Sequence, residues 1–375
     1  MNIWAVNIFS VFIACILLTG VLIPQILLIA FRRKLFDEVN ERKVHKGTIP
    51  RLGGIAFEPV IFFSMFAILG ANILLGYDQI PDTFHDNSLL LAASVCALQL
   101  LYLVGIADDL IGIKYRAKFV VQLVCAILLI AGGTYFSSLD GIFGIDSWPL
   151  WIAYPFTAIV AVFIINAINL IDGIDGLASG LSSIATIIYG VSFFIAGQYF
   201  LSMISFATLG VLIPFYYYNV FGNAERHSKI FMGDTGSLTI GIMLFLLGTQ
   251  LFSIPEPIYG INPAVIAFSP LVIPCFDVIR VYVFRIRHHS NPFTPDRNHI
   301  HHRLLQAGFT QRIAMVSIVL FSLLLCLFNI VLSLYININY VVLADILIWM
   351  VLIKILSVRI QARRQSLPSE ATANS

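Results

Sequence analysis

Ser88-Leu-Leu-Leu-Ala-Ala-Ser-Val-Cys-Ala-Leu-Gln-Leu-Leu-Tyr-Leu-Val-Gly-Ile-Ala107 runs straight into Asp108-Asp109. About 20 uncharged residues at 1.5 Å rise span the roughly 30 Å hydrocarbon layer of a bilayer, so the stretch reads as a membrane helix ending on two acids. Working outward, about 11 such runs follow one another. They lie at 3–31, 52–75, 88–107, 117–135, 150–168, 177–196, 199–220, 236–253, 262–284, 313–334 and 339–358. With 59% hydrophobic and 11% charged residues, the chain falls outside the range of ordinary soluble domains.

The 22 Lys and Arg residues fall only in alternate connections or at the helix ends beside them. Residues 32–51 hold seven, 76–87 none, 114–118 three and 136–149 none, and the pattern continues to Lys354, Arg359, Arg363 and Arg364. Positive loops stay in the cytoplasm. The expected architecture is therefore an all-α polytopic protein with its N-terminus outside and its C-terminus cytoplasmic. Residues 1–360 form one integral membrane domain, and the polar segment 361–375 reads as a disordered cytoplasmic tail. The first run has no basic start or small-residue cleavage site, so it reads as a spanning helix rather than a removed signal. The five cysteines sit in apolar stretches and suggest neither disulfides nor a zinc site. Internal repeats, a Walker loop and a glycine-rich dinucleotide fingerprint are absent.

Chemistry gathers in the positive connections. Asp108 and Asp109 end a helix whose dipole opposes them, so they need compensation, which a divalent cation would supply; solvated helix-end acids are the alternative. Asn169, Asp172 and Asp175 recur every third residue and would share a helical face, although a polar turn with Gly173 and Gly176 also fits. In Phe231-Met-Gly-Asp234-Thr-Gly-Ser237, Asp234 or Thr235 would cap the eighth run, or the helix start would bind phosphate. Pro295-Asp-Arg297-Asn-His299-Ile-His301-His302-Arg303 offers donors for phosphate oxygens; a metal site or a basic surface for anionic lipid are the competing readings. His45-Lys46-Gly-Thr-Ile-Pro-Arg51-Leu-Gly-Gly54 punctuates a turn that would present Lys46 and Arg51 to an anion. Asp277 and Glu58 lie near inner helix ends, where Arg280 or another base is a structural partner for them. Pro270 and Pro274 should break the ninth run. Acidic and basic ligands on one membrane face describe phosphoryl transfer.

These five motifs, in their order along the chain, resemble the polyprenyl-phosphate N-acetylhexosamine-1-phosphate transferases, bacterial membrane enzymes that start cell-surface glycans. The likeness spans nearly the whole chain. It implies transfer of a sugar 1-phosphate from a UDP-sugar to undecaprenyl phosphate at the cytoplasmic face of the plasma (inner) membrane, releasing UMP and using Mg²⁺, or Mn²⁺ in its place. Ile300 interrupts the histidines, which resembles the UDP-GlcNAc branch feeding O-antigen or teichoic acid rather than the branch using UDP-MurNAc-pentapeptide. The resemblance assigns Asp234, Asp108 and Asp109 to the metal and, with His301, to catalysis. Lys46, Asn169, Asp172, Asp175, Phe231, Arg297, His299 and His302 are assigned to the substrates, and Asn219 or Asn223 to a further contact. It implies no nucleic-acid partner and leaves open a homodimer. Because a phosphate monoester is mostly ionised at pH 7, direct attack needs no strong base; a covalent aspartyl phosphate is the alternative. From another class, an ion-coupled transporter would also have many helices and buried acids, but near the midplane and often in repeated halves.

Overall fold

The computed structural model describes residues 3–35, 49–77, 88–289 and 298–366. Lys46 and Arg297 lie outside the described residues. Helices make up the regular structure: α1 (Ile3–Arg33), α2 (Phe57–Leu74), α3 (Ser88–Ile111), α4 (Tyr115–Ala131), α5 (Leu150–Ile171), α6 (Leu177–Ile195), α7 (Tyr199–Val220), α8 (Gly233–Phe252), α9 (Pro263–Phe268), α10 (Val272–Arg287), α11 (Ile300–Gln306), α12 (Gln311–Ser333) and α13 (Ile338–Ser366). A 3₁₀ turn, Gly53–Ala56, leads into α2. Among the described residues, 10 helical stretches are long and apolar enough to cross a membrane. The run expected at 117–135 is shorter, because α4 stops after 17 residues where Gly132 and left-handed Gly133 (φ +91) turn the chain.

At the centre stands α8, packed against α3, α5, α6, α9 and the 3₁₀ turn. Lipid tails are as apolar as leucine, so membrane helices associate through close contact between small residues rather than through hydrophobic burial. The sequence of α8 suits this. A Cβ added at Gly54 would lie 2.1 Å from the Gly236 nitrogen, one at Gly105 2.5 Å from the Thr235 Cα, and one at Gly241 2.8 Å from the Ile165 Cα. Backbone therefore meets backbone where the 3₁₀ turn, α3 and α5 cross α8. By contrast α1 and α13 show much of their apolar surface to the surroundings, as lipid-facing helices do.

The ninth run breaks as its prolines require. Asn262 caps α9 by accepting from the Ala264 N–H at 2.7 Å, and the 3₁₀ turn Ser269–Leu271 then separates α9 from α10. At its other end the chain departs from expectation. Helix α13 continues to Ser366, through the start of the tail read as disordered, because Arg363 is engaged: its guanidinium donates to the carbonyls of Leu305 and Gln306 at the end of α11. Arg359 also stacks 4.3 Å from the centre of the Phe309 ring.

Candidate active site

Three separate acidic motifs come together at one end of this bundle. Asp109, at the end of α3, is turned onto the start of α8: Oδ1 accepts from the Asp234 N–H at 2.7 Å, and Oδ2 from the Thr235 N–H at 2.9 Å and hydroxyl at 2.6 Å. The cap of α8 is thus neither Asp234 nor Thr235, as the motif suggests, but a carboxylate 125 residues earlier in the chain. Those two N–H groups are consequently taken and do not await a phosphate. A carboxylate there also answers the helix dipole. With three hydrogen bonds already accepted, Asp109 acts as the pin between α3 and α8.

Asp108 and Asp234 face a common positive centre. Lys118, from α4, places Nζ 3.1 Å from Asp108 Oδ2 and 2.7 Å from Asp234 Oδ2. Asp108 Oδ1 accepts from the Ile113 N–H at 2.6 Å, which closes the turn leading to α4. Charge reading treats Lys118 only as a marker of sidedness, and nothing in its spacing announces the bridge. Among the described residues no three His, Cys, Asp or Glu side chains form a metal cage. Two carboxylates sharing one positive centre are nevertheless the right donors for a hard cation that takes its remaining oxygens from substrate phosphates and water.

The Asn169-to-Asp175 motif does not lie on one helical face. Helix α5 ends at Ile171, and Asp172 to Gly176 form a turn that restarts as α6 from left-handed Gly176 (φ +78). Asn169, still helical, donates to Ser237 Oγ at 2.8 Å, and Asp175 pairs with Lys229 at 2.5 Å. Asn219 braces the turn, accepting from the Gly176 N–H at 2.6 Å and donating to the Ile230 carbonyl at 2.9 Å. Its polar ends are therefore engaged in structure, while Asn223 caps a surface turn at Glu225. Burial, followed by repulsion from Asp234, Asp175 and Asp109, pushes the Asp172 carboxyl well above the ordinary range, with Arg51 opposing.

The first motif enters as backbone. The Phe231 N–H donates to Pro50, and Gly53 and Gly54 donate to the carbonyls of Phe231 and Met232, each at 2.9 Å. This short ladder fixes the half-buried Phe231 and the entry to α8 together.

Opposite the acids stands α11. His301 is 1% exposed, and neither ring nitrogen has a hydrogen-bond partner among the described residues. A Cβ at Gly173 would lie 2.2 Å from its Nε2, so the ring rests on the acidic turn. Burial, reinforced by His302, pushes its pKa down to about 3, and the imidazole is neutral at working pH. His299 stacks parallel to it, with centroids 5.9 Å apart and planes 3° apart, and the His302 ring is tilted against it with centroids 4.2 Å apart. The structure thus joins Asp108, Asp109, Asn169, Asp172, Asp175, Phe231, Asp234, His299, His301 and His302 in one neighbourhood. The acids gather at one end of the bundle, away from the midplane position expected of a carrier.

Residues 91–251 match the family described as Glycosyl transferase family 4. The chain is 37% identical to an undecaprenyl-phosphate α-N-acetylglucosaminyl 1-phosphate transferase of Yersinia pestis, over 81% of this chain and 78% of that protein. Proteins of the same name from Salmonella typhi and Escherichia coli K12 are each 35% identical, over 84% and 78% of this chain and 81% and 74% of theirs. The motif order, the meeting of those motifs at one end of the bundle and these likenesses along most of its length agree: the chain belongs to the undecaprenyl-phosphate N-acetylglucosaminyl 1-phosphate transferase family.

Proposed function

We propose that this protein transfers N-acetylglucosamine 1-phosphate from UDP-GlcNAc to undecaprenyl phosphate, giving undecaprenyl-diphospho-GlcNAc and UMP. The observation that carries this reading is the pair Asp108 and Asp234 on one cationic centre, beside the turn at Asp172 on which a neutral, unpaired His301 rests. Acceptor oxygen attacks the β-phosphorus, the bond from that phosphorus to the bridging oxygen breaks, and UMP leaves with the electron pair. The acceptor is a monoester whose second pKa is about 6, so it arrives mostly ionised and no residue need deprotonate it. That suits a site in which His301 is neutral and has no hydrogen-bond partner among the described residues.

Asp108 and Asp234 would hold Mg²⁺, or Mn²⁺ in its place, and when bound the ion would neutralise charge on the diphosphate. Asp109 acts by fixing α8, so that Asp234 keeps its direction. Asp172, with its raised carboxyl, can donate a hydrogen bond to the donor's sugar or base. His301 can donate or accept at the acidic turn, and Lys118 steadies the two acids between turnovers. The positive connections share this end of the chain's helices, which supports a site facing the cytoplasm at the bacterial inner membrane. The product would prime a cell-surface glycan such as O-antigen or teichoic acid.

Detergent-solubilised protein incubated with UDP-GlcNAc, undecaprenyl phosphate and Mg²⁺ should release UMP, and added UMP should regenerate UDP-GlcNAc from the lipid product. Release from UDP-MurNAc-pentapeptide but not UDP-GlcNAc would overturn the sugar assignment. No release from any UDP-N-acetylhexosamine would overturn the reaction.

A further inference from the structure

Asp277 lies on α10 just beyond the proline break, with 0% of its surface exposed. A buried carboxylate must find donors, and this one has three. Oδ2 faces His299 Nδ1 at 2.8 Å, while Oδ1 accepts from the Ile300 N–H at 2.9 Å and from Arg280 Nη2 at 2.8 Å. Arg280 also donates to the Asn298 carbonyl, so the same pair holds the chain on both sides of His299. Ile300 opens α11, and its N–H would otherwise be an unmet donor at the helix start.

We propose that Asp277 is the positioning residue of the histidine face: it fixes His299 with hydrogen on Nδ1, and so dedicates Nε2 to the donor diphosphate. This rests on the transfer reaction proposed above and adds a residue that does not itself touch substrate. A carboxylate can only accept, so the nitrogen facing it must carry the hydrogen. With Nδ1 so committed, the His299 ring has Nε2 alone to offer a ligand. The charged or titratable groups around it are Asp277 and Arg280 from α10, and His301, His302 and Arg303 from its own helix. His301 stacks in parallel on His299, so the setting made at Asp277 also carries to the ring that rests on Gly173.

The test is a double-mutant cycle on full-length, detergent-solubilised protein, reading UMP release against UDP-GlcNAc concentration. Asp277→Asn keeps the shape but offers Nδ1 an N–H, reversing the tautomer, and should lower kcat/KM about 10- to 100-fold. In a His299→Gln background the same change should cost less than about 3-fold, because the group it orients is gone. Losses that multiply, or an Asp277→Asn protein within about 3-fold of wild type, would overturn the proposal. Should Asp277→Asn melt below the assay temperature, nitrogen NMR of the histidine-labelled wild type decides instead, with the His299 signal assigned by its loss in His299→Gln: hydrogen on Nδ1 supports the proposal, and hydrogen on Nε2 alone overturns it. An inactive wild type defeats the reaction itself; an active wild type with uncoupled variants defeats only this inference.

Discussion

Where the 3₁₀ turn and α3 cross α8, Gly54 and Gly105 leave no room for a methyl group, whereas α11 is held by long side chains reaching in from α10 and α13. The acidic half of the site is positioned by backbone contact, with the short carboxylate Asp109 tied onto the α8 start. Across from it, Asp277 and Arg280 hold the first turn of α11, Arg303 donates to Ser357 at 2.6 Å, and Arg363 closes the last turn. Backbone contact fails all at once, while side-chain ties can be cut one at a time. Substitutions at the packed glycines of the first half should therefore act through folding, and cuts to the ties that hold α11 through turnover.

The largest effect should come from Gly54→Val, since even one carbon would lie 2.1 Å from the Gly236 nitrogen. A cost beyond about 3 kcal/mol is expected from such overpacking. Size-exclusion profiles and thermal melting in detergent would show it, and a normally melting variant would break the contrast. Next comes Asp234→Asn, which removes a charge facing Lys118 while keeping the shape. Turnover should fall about 1,000-fold, a loss comparable to that of a transition-state charge contact. Its melting temperature should barely move, and near-normal UMP release would remove Asp234 from the reaction.

Gly173→Ala addresses the place where the halves touch. Its methyl would meet His301 Nε2 at 2.2 Å, and a ring only 1% exposed has little space to retreat. Turnover should drop about 10-fold or more with the fold retained, as expected when reacting groups are displaced by a fraction of an ångström. Unchanged turnover would mean the contact is idle.

The smallest effect concerns acid. The folded His301 resists protonation down to about 3, against an ordinary value of 6.5, so between these values the unfolded chain binds more protons. Stability attributable to His301 is therefore lost as pH falls below 6.5. His301→Gln should lose less stability than wild type on acidification, measured by melting at each pH. Asp172, raised rather than lowered, works in the opposite sense in both proteins and so cancels in the comparison. Parallel pH curves would show that His301 takes up its proton without resistance.

Much of this arrangement is legible in the chain itself because it depends on local composition. Apolar length gives the spanning helices, Pro270 gives the break, and the five motifs give the neighbourhood. Asp277 and Arg280, three apart, are readable as partners. What escapes is what long separation hides. Asp277 meets His299 across 22 residues and Asp109 meets Asp234 across 125, and no periodicity encodes either. Motif reading also overextends helices: Asn169, Asp172 and Asp175 have helical spacing, yet glycines at 173 and 176 let the chain turn instead. Lys118 resembles any other loop lysine until α3 and α8 bring two acids to it.

That lysine has a practical consequence. Because an ammonium tethered to the chain already sits between Asp108 and Asp234, their mutual repulsion is offset from within, without a dissolved cation. Under the metal-dependent reaction proposed above, stripping the protein with a chelator should idle it without collapsing it, leaving an intact pool ready to resume work.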